Sequence, residues 1–230
     1  FASHPVCRFD WKSFFRDKFA RSGEFIRAQG MRISMHPDQF TLLNSLDEGI
    51  FDRSVRELSY HCDLLELLGT GPSAKIQIHA GGVYGDRVAS LRRFAQRYAT
   101  LEHRLKERLV IENDDRSYSL RDCLALGEET GTPVVFDLFH HRLNCSGEST
   151  AEALSLAGRT WRPADGLPIV DYSTQADENR RGAHSDSLDS AAFLDFIKES
   201  RHFDFDLMLE IKDKELSAQR AVRLAAGDPR

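Results

Sequence analysis

The sequence predicts an α/β barrel of the (β/α)8 type, and three observations carry that expectation. Six short apolar runs rich in β-branched residues recur along the chain, about 25 to 45 residues apart. Sequence of helical periodicity follows each of them, as in a succession of parallel strands joined by crossover helices. Each run closes on a side chain that can bind a metal: His36 after MRISM, His79 in KIQIH, Glu112 in RLVIE, Asp137 in VVFD, Asp171 in PIVD and Glu210 after DLML. In a barrel of this type the C-terminal ends of the strands point to one face, where the site is built.

The elements follow in order. Trp11, Phe14, Phe15, Phe19, Phe25 and Ile26 share helical spacing between Asp10 and Gln29, with Gly30 as the stop. A strand over Met31 to Met35 comes next, then a helix from about Glu48 to Leu68, ended by Gly69 and the break Thr70-Gly71-Pro72. Lys75 to Ile78 is the next strand, and Arg87 to Glu107 a basic amphipathic helix. Leu109 to Glu112, Val134 to Asp137 and Ile169 to Tyr172 read as strands, alternating with helices over Ser117 to Glu129, Glu148 to Gly158 and Ser187 to Ser200. Phe205 to Leu209 and a helix over Ser217 to Ala225 complete the series.

Six strand–helix units are two short of eight. The opening Phe1-Ala2-Ser3-His4-Pro5 has no initiator Met, so one or two N-terminal strands are expected upstream, and residues 1–230 are read as a single barrel domain. A doubly wound open sheet is the fold alternative, but no Gly-rich phosphate fingerprint follows any strand; GGVYGD is the nearest approach.

Composition narrows the function classes. A net charge of -5 argues mildly against a nucleic-acid partner, although bound divalent ions would reverse the field locally. Cys7, Cys62, Cys123 and Cys145 form no CxxC pair, so neither a zinc knuckle nor a disulfide framework is expected, and a reducing cytoplasm is the expected home. No apolar run approaches the roughly 20 residues of a membrane helix.

His36, His79, His140 and His184 with Glu112, Asp137, Asp171 and Glu210 make a set of nitrogen and oxygen donors without thiolate, suited to zinc, manganese or iron. Eight ligands exceed the needs of one ion, so two or three ions bridged by carboxylates are expected. Such clusters suit in-line displacement at phosphorus, one ion activating water and another steadying the departing oxygen. His140 and His141 are neighbours, of which only one can face the site; the three-residue spacing from Asp137 favours His140.

At these residues the chain resembles the UV damage endonucleases, relatives of endonuclease IV and of the xylose isomerase-like barrels. FASHP, SMHPDQF, IHAGG, LVIENDD, FDLFHH, VDYSTQ, GAHSD and MLEIKDKE carry the resemblance across nearly the whole chain. It implies a divalent cluster, commonly Mn2+, with Zn2+, Mg2+ or Co2+ as alternatives, that cuts damaged double-stranded DNA on the 5′ side of a UV photoproduct. By motif position, Glu112 would bridge two ions, His36 and His79 would hold one, and Asp137, Asp171 and Glu210 the other. His140 and His184 would hold a third, and His4 would lie beside the scissile phosphate.

Gln39 and Phe40 are similar in position to a wedge that enters the duplex at the lesion; the alternative for Phe40 is the core. Arg87, Arg180, Arg181, Lys212 and Lys214, beyond strand ends, are candidate phosphate contacts. The chain departs from some relatives in carrying Asp171 where they have histidine and Ile169 where they have lysine. A monomer is expected, cytoplasmic and nucleoid-associated if prokaryotic, with no membrane contact. Rival readings are an apurinic-site endonuclease or sugar isomerase on the same barrel, and a module that binds damage without cutting.

Overall fold

The computed structural model of the chain describes residues 2–176 and 180–227. Its contacts divide into two compact units. The first is Phe1–Ile111 with Leu126–Pro133 and Arg162–Gly166, and the second Glu112–Ala125, Val134–Trp161 and Leu167–Arg230.

In the first unit, α1 (Trp11–Ala28), β1 (Ser34–Met35), α2 (Glu48–Leu67), β2 (Lys75–His79), α3 (Arg87–Thr100) and α4 (His103–Lys106) precede β3 (Leu109–Glu112). β1 and β2 pair in parallel, with Ser34 opposite Lys75 and Met35 opposite Ile76. The Ile76 amide donates to the Arg108 carbonyl at 2.8 Å, which brings in β3. Leu58, Cys62 and Leu65 of α2, Ile76 and Ile78 of β2 and Phe94 of α3 are buried with Leu109, Val110 and Ile111. This is the apolar content expected of parallel strands covered by helices. The caps follow the sequence: Asp10, Asp47 and Asp86 accept from the third residue of α1, α2 and α3.

Two expectations are corrected in this unit. The strand expected over Met31 to Met35 shrinks to Ser34–Met35, with Met31 exposed. The helix expected over Arg87 to Glu107 is two helices. The Thr100 hydroxyl donates to the Arg97 carbonyl at 2.7 Å, and Leu101 turns to extended geometry (ψ 151°) with its side chain buried. The short polar side chain and the pull of Leu101 inward end α3 before Glu102. The strand pattern alone gives no hint that Lys75, the first residue of β2, is wholly buried. Its ammonium donates to Asp165 at 2.6 Å and to the Glu107 carbonyl at 2.7 Å.

In the second unit, α5 (Leu120–Thr130) begins ahead of β4 (Val134–Asp137) and α6 (Leu138–Leu143). α7 (Thr150–Gly158), β5 (Ile169–Tyr172), α8 (Ser190–Ser200), β6 (Asp206–Leu209) and α9 (Glu215–Ala226) complete the order. β4, β5 and β6 are parallel neighbours. Tyr172 packs against Phe193 and Phe196 of α8, ring centroids 5.4 and 5.3 Å apart. α6 is an element that periodicity does not reveal. It starts on the residue after β4 because the Asp137 carboxylate accepts the His140 amide at 2.7 Å and so caps a helix with no intervening loop.

Candidate metal centre

Strand register sets the site of the second unit. Asp137 and Asp171 are partners across β4 and β5, so their side chains leave the sheet on one face. Asp171 in turn sits opposite Met208, and Glu210, two residues further on, returns to the same face. Glu112 ends β3 and His140 lies in the first turn of α6.

The Glu112 and Asp137 side chains are wholly buried. His140 Nδ1 lies 2.9 Å from Glu112 Oε1 and 3.3 Å from Asp137 Oδ2, and one ligand atom from each of the three residues lies within 4.8 Å of the others. Burial pushes the Asp137 carboxyl well above the usual carboxylate range; the His140 imidazole opposes this, and Glu112 and Glu210 reinforce it. Burial would lower the His140 imidazole, yet its hydrogen bond to Glu112 and the charges of Asp137 and Glu112 raise it to about 10. Two buried carboxylates thus share one proton-bearing ring, and Asp137 Oδ2 is buried without a hydrogen bond. A buried carboxyl oxygen without a hydrogen bond, beside a second buried acid and an imidazole, is an arrangement that a divalent cation would satisfy. The residues present fit such an ion.

His184 extends the group: its ring centroid lies 6.0 Å from that of His140, and its Nδ1 contacts Glu210 at the carbonyl (2.8 Å) and at a carboxylate oxygen (3.6 Å). Nδ1–H donation to that carbonyl assigns the lone pair to Nε2. Glu112, Asp137, His140, Asp171, His184 and Glu210 are therefore gathered on one end of the second unit.

The first unit gathers His36 and His79, whose ring centroids are 5.4 Å apart. His36 Nδ1 donates to the Pro37 carbonyl at 2.8 Å, which again leaves the lone pair on Nε2. The loop after His36 is built to present its tip. Asp38 accepts the Phe40 amide on its carboxylate (2.8 Å) and the Thr41 amide on its carbonyl (3.1 Å), a tight turn with Gln39 and Phe40 at its crest. The core alternative for Phe40 does not hold, since that side chain is 71% exposed. His4 lines the same cavity as Asp38 and Phe40, with Arg53 and Arg56 in its wall.

The basic residues divide. Arg181 is anchored on the Leu143 carbonyl at 2.5 Å, whereas Lys212 already pairs with Asp186 at 2.6 Å. Arg180 and Lys214 are exposed, and Arg87 opens α3.

Sequence reasoning missed the residues that hold these groups in place. The Asn113 amide donates to the Asp137 carbonyl (2.9 Å) and accepts the Asp137 N–H (3.0 Å), while its own carbonyl lies 3.0 Å from His140 Nδ1. The Ser173 hydroxyl donates to the Glu210 carbonyl at 2.8 Å. In the first unit, Asn44 braces both polar atoms of Gly82. Gly81 before it has φ +96°, and an added Cβ would lie 2.2 Å from Asn44 Oδ1, so IHAGG requires glycine there. An uncharged amide beside a strand end, as in ENDD, is the one signal that could have pointed to Asn113.

Comparison with known proteins bears on this geometry. The UV-endonuclease UvdE family matches residues 1–227. The UV DNA damage endonuclease of Clostridium perfringens is 38% identical over 224 residues, 96% of this chain and 54% of that protein. That of Bacillus mycoides is 33% identical over 222 residues, 94% of this chain and 69% of that protein. The chain thus spans from about half to about two thirds of the length of these two relatives. The crystal structure of SacUVDE is similar at a TM-score of 0.92 and 42% identity, over 98% of this chain and 75% of that one. Endonuclease IV from Thermus thermophilus, at 18% identity and a TM-score of 0.59 over 92% of this chain and 80% of that one, is alike in fold alone, the α/β fold of the TIM-barrel class.

Proposed function

This chain belongs to the UV-endonuclease UvdE family, and from that premise we propose that it is a divalent-metal-dependent DNA endonuclease that hydrolyses the phosphodiester on the 5′ side of UV photoproducts. The observation that carries the reading is the buried group of Glu112, Asp137 and His140, whose ligand atoms lie within 4.8 Å of one another and whose two acids share one ring. Bound there, divalent ions would supply Lewis-acid charge at the phosphoryl oxygens and a nucleophile drawn from water at neutral pH.

The residues have the following roles. His36 and His79 would hold one ion, Asp137, Asp171 and Glu210 a second, and His140 and His184 a third, with the Glu112 carboxylate shared between ions. Manganese is the proposed metal, because the set combines hard carboxylate oxygens with imidazole and holds nothing softer. His4 contacts the scissile phosphate from the cavity it shares with Phe40. Gln39 and Phe40, raised on the Asp38 turn, enter the duplex where stacking is already weakened by the lesion. The phenyl ring replaces lost stacking and the amide meets an unpaired base edge. Arg180, Arg181, Lys212 and Lys214 contact backbone phosphates, with Lys212 exchanging Asp186 for a phosphate. Residues 1–230 belong to a single barrel domain, a monomer in the cytoplasm and nucleoid-associated if the source is prokaryotic. Among the described residues no helix is long and apolar enough to cross a membrane.

Incubation of the manganese-loaded protein with irradiated and undamaged duplexes tests this. The expected product is a single nick 5′ to the lesion, abolished by chelation and by Glu112→Gln, with damage binding retained in that variant. Ketose turnover, cutting at abasic sites alone, or full nicking by Glu112→Gln would overturn the assignment.

A further inference from the structure

We infer that His141, Cys145 and Glu148 form a second cation site, for zinc, on the segment that joins α6 to α7. This inference does not rest on the endonuclease reading, because none of the three residues belongs to the centre described above. His141 follows His140 directly, but its ring is turned away from the acids of the strand ends. It is 4% exposed, and its Nε2 lies 3.0 Å from the Glu148 carbonyl and 3.5 Å from Cys145 Sγ.

The distances match the chemistry. A tetrahedral zinc with bonds of about 2.3 Å to sulfur and about 2.05 Å to nitrogen separates the two donors by about 3.6 Å. One ligand atom from each of the three side chains lies within 4.8 Å of the others. The Glu148 carbonyl, 3.6 Å from Cys145 Sγ, or a water completes the set. Thiolate with imidazole selects zinc over the harder manganese or magnesium.

The surroundings already orient the donors. Arg121 grips one Glu148 carboxylate oxygen at 2.8 Å and the Ser146 hydroxyl donates to the other at 2.9 Å, as outer partners do for a ligating carboxylate. The Gly147 amide donates to Cys145 Sγ at 3.2 Å. Cys145 is exposed, so an ion enters from solvent. Binding releases the thiol proton to solvent and moves the imidazole proton from Nε2 to Nδ1. The move exchanges the Nε2–H hydrogen bond to the Glu148 carbonyl for the bond to the ion and places the proton on Nδ1, which is buried without a hydrogen-bond partner. The ion would pin residues 144–149 to α6, the helix that also carries His140.

Cobalt distinguishes this site from the nitrogen–oxygen centre, since only a thiolate gives a near-ultraviolet sulfur-to-cobalt charge-transfer band. Titration of the full chain with Co2+ should raise that band to a plateau with the intensity of one thiolate-bound ion per chain, whatever the order in which the two centres fill. Cys145→Ser should lose the band while keeping the visible absorption of the other centre. Arg121→Ala should shift the midpoint about tenfold or more toward higher cobalt. Absence of the band, its persistence in Cys145→Ser, or an unmoved midpoint in Arg121→Ala would overturn the site.

Discussion

The Asn113 side chain grips the Asp137 peptide at both ends, donating to its carbonyl at 2.9 Å and accepting its N–H at 3.0 Å. The ends of β3 and β4 are therefore locked together where Glu112 and Asp137 leave the sheet. Asn113 is a positioning residue: its side chain holds the strand ends from which the two acids project.

Asn113→Ala should leave both Asp137 backbone groups buried and unpaired, at about 1–3 kcal/mol, and lower metal affinity about 10- to 100-fold. Asn113→Asp, which keeps only the acceptor, should not restore it. Manganese titration read by calorimetry checks this; unchanged affinity in a folded Asn113→Ala protein would remove the role.

Phe40→Ala should leave stability within about 0.5 kcal/mol, because the ring is 71% exposed. Its effect should fall on damage recognition, about 1–3 kcal/mol for a lost base–aromatic stack. Fluorescence anisotropy on irradiated and intact duplexes measures the ratio of affinities. A ratio equal to that of the parent would deny the wedge.

Acid should expose the Lys75–Asp165 pair. Burial would raise the Asp165 carboxyl, but Arg162 and Lys75 outweigh it and hold it at about 2, below its ordinary 3.8. A depressed carboxylate stabilises the fold above its unfolded value, and that contribution, about 2 kcal/mol, is lost as pH falls from about 4 to 2. Lys75 is itself lowered by burial but stays charged throughout this window. Asp165→Asn should therefore cost about 3–5 kcal/mol at neutral pH, leaving a buried ammonium unpaired, and flatten the acid limb of stability against the parent. Urea unfolding at several pH values reads both; parallel curves for parent and variant would contradict the linkage.

Gly23 allows α1 and α2 to approach: a Cβ there would sit 1.8 Å from the Leu68 carbonyl oxygen. Gly23→Ala should push the helices apart and cost about 1–3 kcal/mol as an overpacking change, despite alanine's higher helix propensity. A urea midpoint at or above that of the parent would show that the backbone yields without strain.

The sequence by itself determined the alternation of strands and helices and the acids and imidazoles at the strand ends. Burial on both faces makes a parallel strand apolar throughout, so that a charged residue closing such a run stands out. Period two puts alternate residues of a strand on one face, and the observed pairing of β4 with β5 then brings Asp137 and Asp171 side by side. Only the tertiary structure decided that Lys75 lies inside against Asp165, that α6 starts without a loop, that Phe40 stands exposed, that Asn113 braces β3 on β4, and that His141 turns toward Cys145 and Glu148. Each depends on partners 3 to 90 residues away in the chain or on the space left by neighbours, and hydrogen bonding and close packing between such groups leave no periodic trace in the order of residues.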